Sequence, residues 1–351
     1  MSLSRDELDH FRARGYLVKR GVVPPLLLAQ HQREVAAALR ARGVMPEALG
    51  ATADKLSAFG SGFGGFLELY HLPAMAEMRA LPEVVQVFTA LLEATYASSD
   101  DVDAPWPNAY GRFDARRLYA YINRCSYRVP TRYAAQPGRR PAQRGTGPHL
   151  DIHPLRPFEG VRVVRGDDGR KRWEPDSLRF WHPLQGLVAV SGAPEANSGG
   201  FCTIPGFHRR CRAYFEEVGL HGRHPLRWGN ATHLTRTHDA ALLERFEHVP
   251  TRPGDLLIWD FRMPHMSEDR NDRDTPREAV YLTYLPDVEN NRAYARTQRE
   301  WYLAGVHPDY VARRYRALET PGYRPFPYGP LGRQLLALDP WGDADADARS
   351  R

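Results

Sequence analysis

The chain has 351 residues, with 42% hydrophobic and 26% charged side chains, a balance expected of a soluble globular protein with one large or two modest domains. No apolar run approaches the roughly 20 residues of a membrane helix, and the opening MSLSRDELDHF lacks the apolar stretch of a secretory signal. The net charge of +6 comes from arginines spread along the chain, so the dense basic patch of a nucleic-acid-binding surface is not predicted.

The three cysteines, Cys125, Cys202 and Cys211, are odd in number and lack the spacing of a zinc-binding motif. Disulfide frameworks belong to oxidising compartments and use cysteines in pairs. We therefore expect three reduced thiols and a cytoplasmic protein.

The N-terminal part of the chain has helical patterns. Ser4 and Glu7 have the spacing of a capping box, and Gly15 is expected to end the helix that they begin. A short strand is predicted to begin at Tyr16. Further helical patterns cover residues 25–42 and 81–97.

The sequence pattern predicts a β-rich core over about residues 116–286. The segments RRLYAYIN, SLRFWHPLQGLVAVS, GGFCTIPG, GDLLIWDF and EAVYLTYLP are rich in β-branched and aromatic residues, with Gly, Pro and Asn between them. This spacing predicts an antiparallel sandwich or jelly roll rather than a βαβ fold. Helical flanks over 4–97 and 288–318 complete a single, mainly β domain over residues 1–340. Residues 341–351 are expected to be a disordered tail.

The tripeptide His149-Leu150-Asp151 places an imidazole and a carboxylate two residues apart. On a strand, residues at this spacing share one face, so both side chains can reach one metal ion. Asp151 and His153 alternate in the same way, which makes His153 a rival ligand. The best candidate for a third ligand is His265, which follows the apolar segment LLIWDF. Two histidines and one carboxylate are the facial triad of non-haem Fe(II) oxygenases.

The open positions of such a centre can take a bidentate 2-oxo acid, and the distal carboxylate of 2-oxoglutarate would need a cation. Arg277 begins the apparent strand EAVYLTYL, and a guanidinium binds a carboxylate through two parallel hydrogen bonds. Ser267, two residues after His265, offers a hydroxyl to the same co-substrate, and Gln185 is either a further co-substrate ligand or a core amide.

Four further residues are candidates for contact with the substrate. Tyr121 and Asn123 lie on the strand before the first ligand segment, where sheet packing is an equally good interpretation. His153 is expected to line the mouth of the pocket if it is not a ligand. Arg128 precedes the site and is suited to an anionic substrate, although a solvated loop is the simpler interpretation.

Several segments resemble the phytanoyl-CoA dioxygenase-like family of Fe(II)/2-oxoglutarate-dependent oxygenases. They are LDHFRARGYLVKRGVVPP at the N-terminus, the tripeptide HLD, NSGGFCTIPGFH, and GDLLIWDFRMPHMS followed by PREAV. Together they span most of residues 5–286 in the family's order. The resemblance favours His149 over His153 as the first ligand. It implies a double-stranded β-helix of the jelly-roll, cupin-like type that binds Fe(II), 2-oxoglutarate and O2.

The function predicted on this basis is oxidation of a small molecule. The resemblance implies that 2-oxoglutarate is converted to succinate and CO2, and the presence of Asp151 favours hydroxylation or a related oxidation. The family does not fix the substrate, since function depends on the site and not on the fold. A small polar metabolite of biosynthetic or specialised metabolism is expected, because the chain has no strong acyl-binding signature and its loops are rich in arginine. The alternatives are a cupin-like lyase or epimerase that binds a metal without oxidation, a metabolite-binding module with a vestigial triad, and a nucleic-acid- or nucleotide-directed oxygenase.

Overall fold

The computed structural model describes residues 2–60, 62–99, 101, 103–108, 110–134, 143–151, 163–165, 171–173, 180–219, 232–308 and 322–342. Within these ranges the strands are β1 (Tyr16–Lys19), β2 (Phe66–Leu67), β3 (Leu118–Ala120), β4 (Cys125–Arg128), β5 (His149–Leu150), β6 (Val163–Arg165), β7 (Lys171–Trp173), β8 (Leu184–Ala189), β9 (Phe201–Thr203), β10 (Thr232–His233), β11 (Glu247–His248), β12 (Leu256–Asp260), β13 (His265–Ser267) and β14 (Arg277–Pro286).

The α-helices within the same ranges flank and interrupt these strands. They are α1 (Arg5–Arg14), α2 (Pro25–Arg40), α3 (Leu49–Thr52), α4 (Pro73–Arg79), α5 (Pro82–Glu93), α6 (Thr131–Ala134), α7 (Cys211–Val218), α8 (Arg236–Leu243), α9 (Glu289–Ala304) and α10 (Pro330–Leu335). No helix among the described residues is long and apolar enough to cross a membrane.

The named strands form two main antiparallel sheets and one separate β6–β7 pair. The large sheet has the order β1-β12-β8-β14-β4-β2, with β3 also paired to β14. The small sheet has the order β10-β5-β13-β9-β11. Their inner faces contact each other: the rings of Phe201 in the small sheet and Trp259 in the large sheet have centroids 4.7 Å apart. The space between the two sheets therefore receives side chains from both.

Helix α5 packs on the outer face of the large sheet. Phe88 is fully buried there, with its ring 4.8 Å from that of Tyr284 on β14. On the neighbouring β8, a Cβ atom built on Gly186 would come within 2.9 Å of Phe88 Cζ. The absence of a side chain at Gly186 thus lets the aromatic ring lie directly on the sheet, and the helix is held by apolar burial.

Helix α1 begins and ends as the sequence predicts. Ser4 Oγ accepts the Glu7 amide N–H and the Glu7 side chain accepts the Ser4 amide N–H, which completes the capping box. Gly15 ends the helix with φ +78°, and a Cβ atom there would lie 2.4 Å from His208 Nδ1. Glycine is needed at this position for both reasons.

Antiparallel sheets with a helical cover are confirmed, as are helices close to the two other predicted ranges, at Pro25–Arg40 and Pro82–Glu93. The two main sheets are open, and no closed barrel forms among the described residues, so the jelly-roll arrangement of the strands stays a prediction. The C-terminal flank contains α9, but residues 309–321 and 343–351 lie outside the described residues. The single-domain boundary at residue 340 also stays a prediction.

Candidate metal centre

His149, Asp151 and His265 come together between the two sheets, and we call them the triad. His149 on β5 and His265 on β13 are directly opposite each other in an antiparallel pair, and their ring centroids are 4.4 Å apart. Residues paired in this way project from the same face of a sheet. The ring of Trp259 on the large sheet lies 5.1 Å from that of His265, so this face is the inner one.

The three side chains have the separations of metal ligands. Asp151 Oδ1 lies 3.4 Å from His149 Nε2, and Asp151 Oδ2 lies 3.4 Å from His265 Nε2. The three ligand atoms all lie within 4.8 Å of one another. Bonds of about 2.0–2.2 Å to a common ion require ligand atoms about 3 Å apart, so small movements are enough to bring all three onto one ion.

Two backbone carbonyls orient the imidazole rings. His149 Nδ1 is 2.8 Å from the Gly147 carbonyl oxygen, and His265 Nδ1 is 3.1 Å from the Met263 carbonyl oxygen. A carbonyl oxygen can only accept, so each Nδ1 carries a hydrogen, and Nε2 is the nitrogen that each ring turns towards Asp151 and can offer to a metal ion. Histidines that bind metals are oriented by this kind of hydrogen bond.

The electrostatics of the triad favour a bound cation. Burial opposes charge on Asp151, but hydrogen bonds and charge interactions with His149 and His265 outweigh it and hold the pKa of Asp151 well below its usual range. Burial likewise opposes protonation of His149, but Asp151 outweighs it and raises the pKa of His149. The carboxylate therefore stays charged, and a metal ion can take the place of the shared protons.

Gln185 contacts the triad instead of standing apart from it. Its Nε2 donates to Asp151 Oδ2 at 2.7 Å, and its Oε1 accepts the indole N–H of Trp259 at 2.9 Å. Because the indole can only donate, it fixes which end of the amide faces Asp151. The Gln185 amide therefore supports a triad carboxylate, and its contact with 2-oxoglutarate stays a prediction.

Ser267 lies beside the segment that leads into β5. It is two residues after His265 on β13 and so shares its face. Its Oγ accepts the Thr146 amide N–H at 3.0 Å, and its own N–H donates to Thr146 Oγ1 at 2.8 Å. These hydrogen bonds tie β13 to the chain just before His149.

Arg277 and Arg128 lie opposite each other where β14 pairs with β4. Thr283 on β14 is paired with Gln185, and residues at even spacing from Thr283 share its face, so Arg277 projects towards the triad side of the large sheet. Its Nη1 donates to Ser126 Oγ at 3.0 Å. Both arginines are buried, at 4% and 2% exposure.

Arg128 has hydrogen-bond donors that the described residues do not satisfy. Its Nη2 donates to the Asp269 carbonyl oxygen, while Nε and Nη1 are buried without a partner within the described part of the chain. Burial, assisted by the neighbouring Arg277, lowers the pKa of Arg128 to about 10. The unsatisfied donors of Arg128, beside a second buried guanidinium, favour the binding of an anion here.

The other predicted substrate contacts have the following neighbours, and their roles stay predictions. The ring of Tyr121 stands 5.0 Å from Phe180 and 6.2 Å from His182 in an aromatic cluster. Asn123 Oδ1 accepts the N–H of the next residue, Arg124, and so serves the local turn. His153 lies outside the described residues.

Two contributors were missed in the sequence. Trp259 supports Gln185, and the only signal for it was its place in a buried strand beside a triad segment. His182 is half-buried, and its buried Nδ1 has no partner among the described residues. Desolvation lowers its pKa against the opposing effect of Asp151. Its position three residues before Gln185 was a weak signal.

No family model and no curated protein matches the chain. Its fold is similar to that of the solved GlcNAc Inducible Gene 2 protein, GIG2 (DUF1479), from Candida albicans, with a TM-score of 0.70 and 15% identity over 99% of this chain and 81% of that one. Hypothetical protein JW0805 from Escherichia coli gives a TM-score of 0.68 and 17% identity over 95% of this chain and 82% of that one.

A weaker match is the non-heme alpha ketoglutarate dependent carbocyclase SnoK from nogalamycin biosynthesis, with a TM-score of 0.47 and 17% identity over 81% of this chain and 84% of that one. A similarity at that TM-score is too low to support a shared function, and membership of the phytanoyl-CoA dioxygenase-like family stays a prediction. The two stronger matches show that the chain shares its fold with GIG2 and JW0805.

Proposed function

We propose that the chain is a non-haem Fe(II)- and 2-oxoglutarate-dependent oxygenase on a double-stranded β-helix, and that it hydroxylates or otherwise oxidises a small polar metabolite. The observation that carries the proposal is the triad of His149, Asp151 and His265, faced by a buried arginine on the opposite sheet. Two imidazoles and one carboxylate are the donor set of non-haem Fe(II) oxygenases, and they leave coordination positions open on the metal.

The side chains of the site suit both Fe(II) and 2-oxoglutarate. The three triad side chains would hold Fe(II), each histidine through the Nε2 that its carbonyl partner leaves free. Arg277 would bind the distal carboxylate of 2-oxoglutarate, and the unsatisfied donors of Arg128 would complete that anion site. When bound, Fe(II) and 2-oxoglutarate supply the activation of dioxygen, with succinate and CO2 as co-products.

The chain's own side chains would then orient and shield the reactants. Gln185 holds the Asp151 carboxylate in one orientation, and Trp259 and Phe201 pack against the His265 ring and exclude water from that side. Ser126 Oγ accepts a hydrogen bond from Arg277 Nη1 and so fixes the guanidinium, which means that less rotamer freedom is lost when the anion binds.

An anaerobic titration tests the proposal without knowledge of the substrate. Protein loaded with Fe(II) is titrated with 2-oxoglutarate, and the visible charge-transfer band of the chelate is recorded. Arg277→Met should raise the dissociation constant for 2-oxoglutarate about 30-fold or more, equivalent to about 2 kcal/mol for an unpaired buried carboxylate. Arg270→Met is the matched control, since the Arg270 side chain is 64% exposed and paired with Asp272 at the surface.

The outcomes separate the candidate functions. His265→Ala should abolish the band because the ligand set is broken. If wild-type protein binds Fe(II) but shows no band and forms no succinate from 2-oxoglutarate, the oxygenase proposal is refuted and a non-oxidative metal enzyme takes its place.

A further inference from the structure

A second group of metal-type side chains lies on the outer face of the small sheet. Cys202 on β9 and His248 on β11 are directly opposite each other in their antiparallel pair, and Glu268 immediately follows β13. Thr203, the next residue on β9, is paired with the triad residue His265 on the inner face. Because successive strand residues point to opposite faces, Cys202 projects away from the triad.

The three side chains converge and are almost fully buried. A sulfur, a ring nitrogen and a carboxylate oxygen from Cys202, His248 and Glu268 all lie within 4.8 Å of one another. The side chains of His248 and Glu268 are 10% and 9% exposed. His248 Nδ1 lies 3.1 Å from Glu268 Oε1 and points into the group.

The two ring nitrogens of His248 both face hydrogen-bond acceptors. His248 Nε2 is 3.1 Å from the Ala193 carbonyl oxygen, which can only accept, so Nε2 carries a hydrogen. In the neutral ring Nδ1 is then a lone pair that faces a carboxylate oxygen 3.1 Å away, and no other described residue offers this nitrogen a hydrogen bond. Two acceptors at this distance in a buried place require a positive species between them.

Glu268 is held in place with acceptor capacity to spare. Its Oε1 accepts the Asn197 N–H at 2.7 Å and its Oε2 accepts the Gly200 N–H at 2.9 Å. An ionised carboxylate offers about four acceptor positions, so each oxygen keeps one for a further partner. Burial opposes the charge, but His248 and these two amides outweigh it and lower the pKa of Glu268.

The surrounding chain makes room for the imidazole. A Cβ atom on Gly200 would lie 2.5 Å from His248 Cε1 and 2.9 Å from Ala193 Cβ, so only glycine allows the ring into this position. Burial and the charge of Glu268 raise the pKa of Cys202 to about 12. Without a cation the cysteine is therefore a thiol, and a bound metal would convert it to a thiolate.

We propose that Cys202, His248 and Glu268 bind a divalent metal ion of the zinc type, separate from the ion of the triad. Thiolate, imidazole and carboxylate are the ligands that Zn²⁺ takes, and three protein ligands leave a fourth position for water. Such an ion joins β9, β11 and the residue after β13, and so holds the strand that carries His265. The proposal does not depend on the oxygenase function.

Cobalt titration tests the second site selectively. Metal-free protein is titrated with Co²⁺, and the near-ultraviolet band of thiolate-to-cobalt charge transfer is recorded together with the bound cobalt. The triad contains no thiolate, so the band reports only a site with a cysteine. Wild-type protein should bind two ions, with a band that saturates at one equivalent and disappears when Zn²⁺ is added in excess.

Variants assign the band to its ligands. Cys202→Ser should remove the band and one bound ion, whereas His149→Ala should remove one ion and keep the band. Cys211→Ser is the matched control, because Cys211 is also a fully buried thiol but lies on α7 outside the group. Glu268→Gln, which keeps the cysteine and an acceptor for a backbone amide, should weaken the cobalt affinity at least 10-fold.

Two results would overturn the proposal. One is wild-type protein that shows no near-ultraviolet band at saturating Co²⁺, which would mean that a proton rather than a metal lies between His248 and Glu268. The other is a band that survives in Cys202→Ser. Neither result bears on the 2-oxoglutarate titration, so failure of this site and failure of the proposed function are distinguishable.

Discussion

Replacing Gln185 by methionine tests whether the chain of hydrogen bonds from Trp259 holds Asp151 as a metal ligand. Methionine has a similar length and volume but cannot donate to Asp151 Oδ2, so the 2.7 Å hydrogen bond is lost while the triad stays intact. A hydrogen bond to a charged group contributes about 1.5–3 kcal/mol. Removal of a group that supports a metal ligand typically lowers metal affinity about 10–100-fold, or about 1.4–2.7 kcal/mol.

The two ranges agree, so we expect the dissociation constant for Fe(II) to rise about 10–100-fold in Gln185→Met. The assay is an anaerobic Fe(II) titration in competition with a chromophoric chelator. Trp259→Phe is the companion variant: it removes the donor to Gln185 Oε1 but leaves the bond to Asp151, so its effect should be smaller. A folded Gln185→Met protein with Fe(II) affinity within twofold of wild type would refute the reasoning.

Two further predictions concern stability. Burial raises the pKa of Glu278 from its usual 4.5 to about 7, against the opposing hydrogen bond from Gln32, so the folded state binds its proton more tightly than the unfolded state. Stability is therefore lost as the pH rises from 4.5 to about 7. At pH 8 the free energy of unfolding of Glu278→Gln, measured by urea denaturation, should exceed that of wild type by on the order of 3 kcal/mol. The two proteins should unfold alike at pH 4.5, and equal urea midpoints at pH 8 would contradict this prediction. Phe88→Ala should lower the free energy of unfolding by about 3–5 kcal/mol because the Phe88 ring fills the space over Gly186. Leu26→Ala is the control: this side chain is 84% exposed, so the change should be under about 0.5 kcal/mol. Similar urea midpoints for the two variants would disprove the assigned packing.

Features that depend on neighbouring residues could be predicted from the sequence alone. The capping box of α1 needs only Ser4 and Glu7 at the right spacing, and the structure has both of its hydrogen bonds. The short spacing of His149 and Asp151 likewise brought an imidazole and a carboxylate within reach of one ion. Local spacing determines these features because it sets which side chains share a helix turn or a strand face.

Features that join distant strands were decided only by the tertiary structure. Spacing could not show that Gln185 would meet Asp151, or that Arg128 would lie opposite Arg277 instead of in a solvated loop. The cysteines were interpreted as plain thiols because their number is odd and their spacing is not that of a zinc motif. The pairing of the strands places His248 on β11 and Glu268 after β13 next to Cys202.

The physical reason is the order and register of the strands. A strand's sequence shows which residues share a face, but a shift of one residue in pairing turns every side chain to the other face. The pairing of β9 with both β13 and β11 therefore decides that His265 faces the inner space while Cys202 faces outward. The sequence by itself determined the ligand types and their local faces, and the packing of the two sheets decided which of them meet.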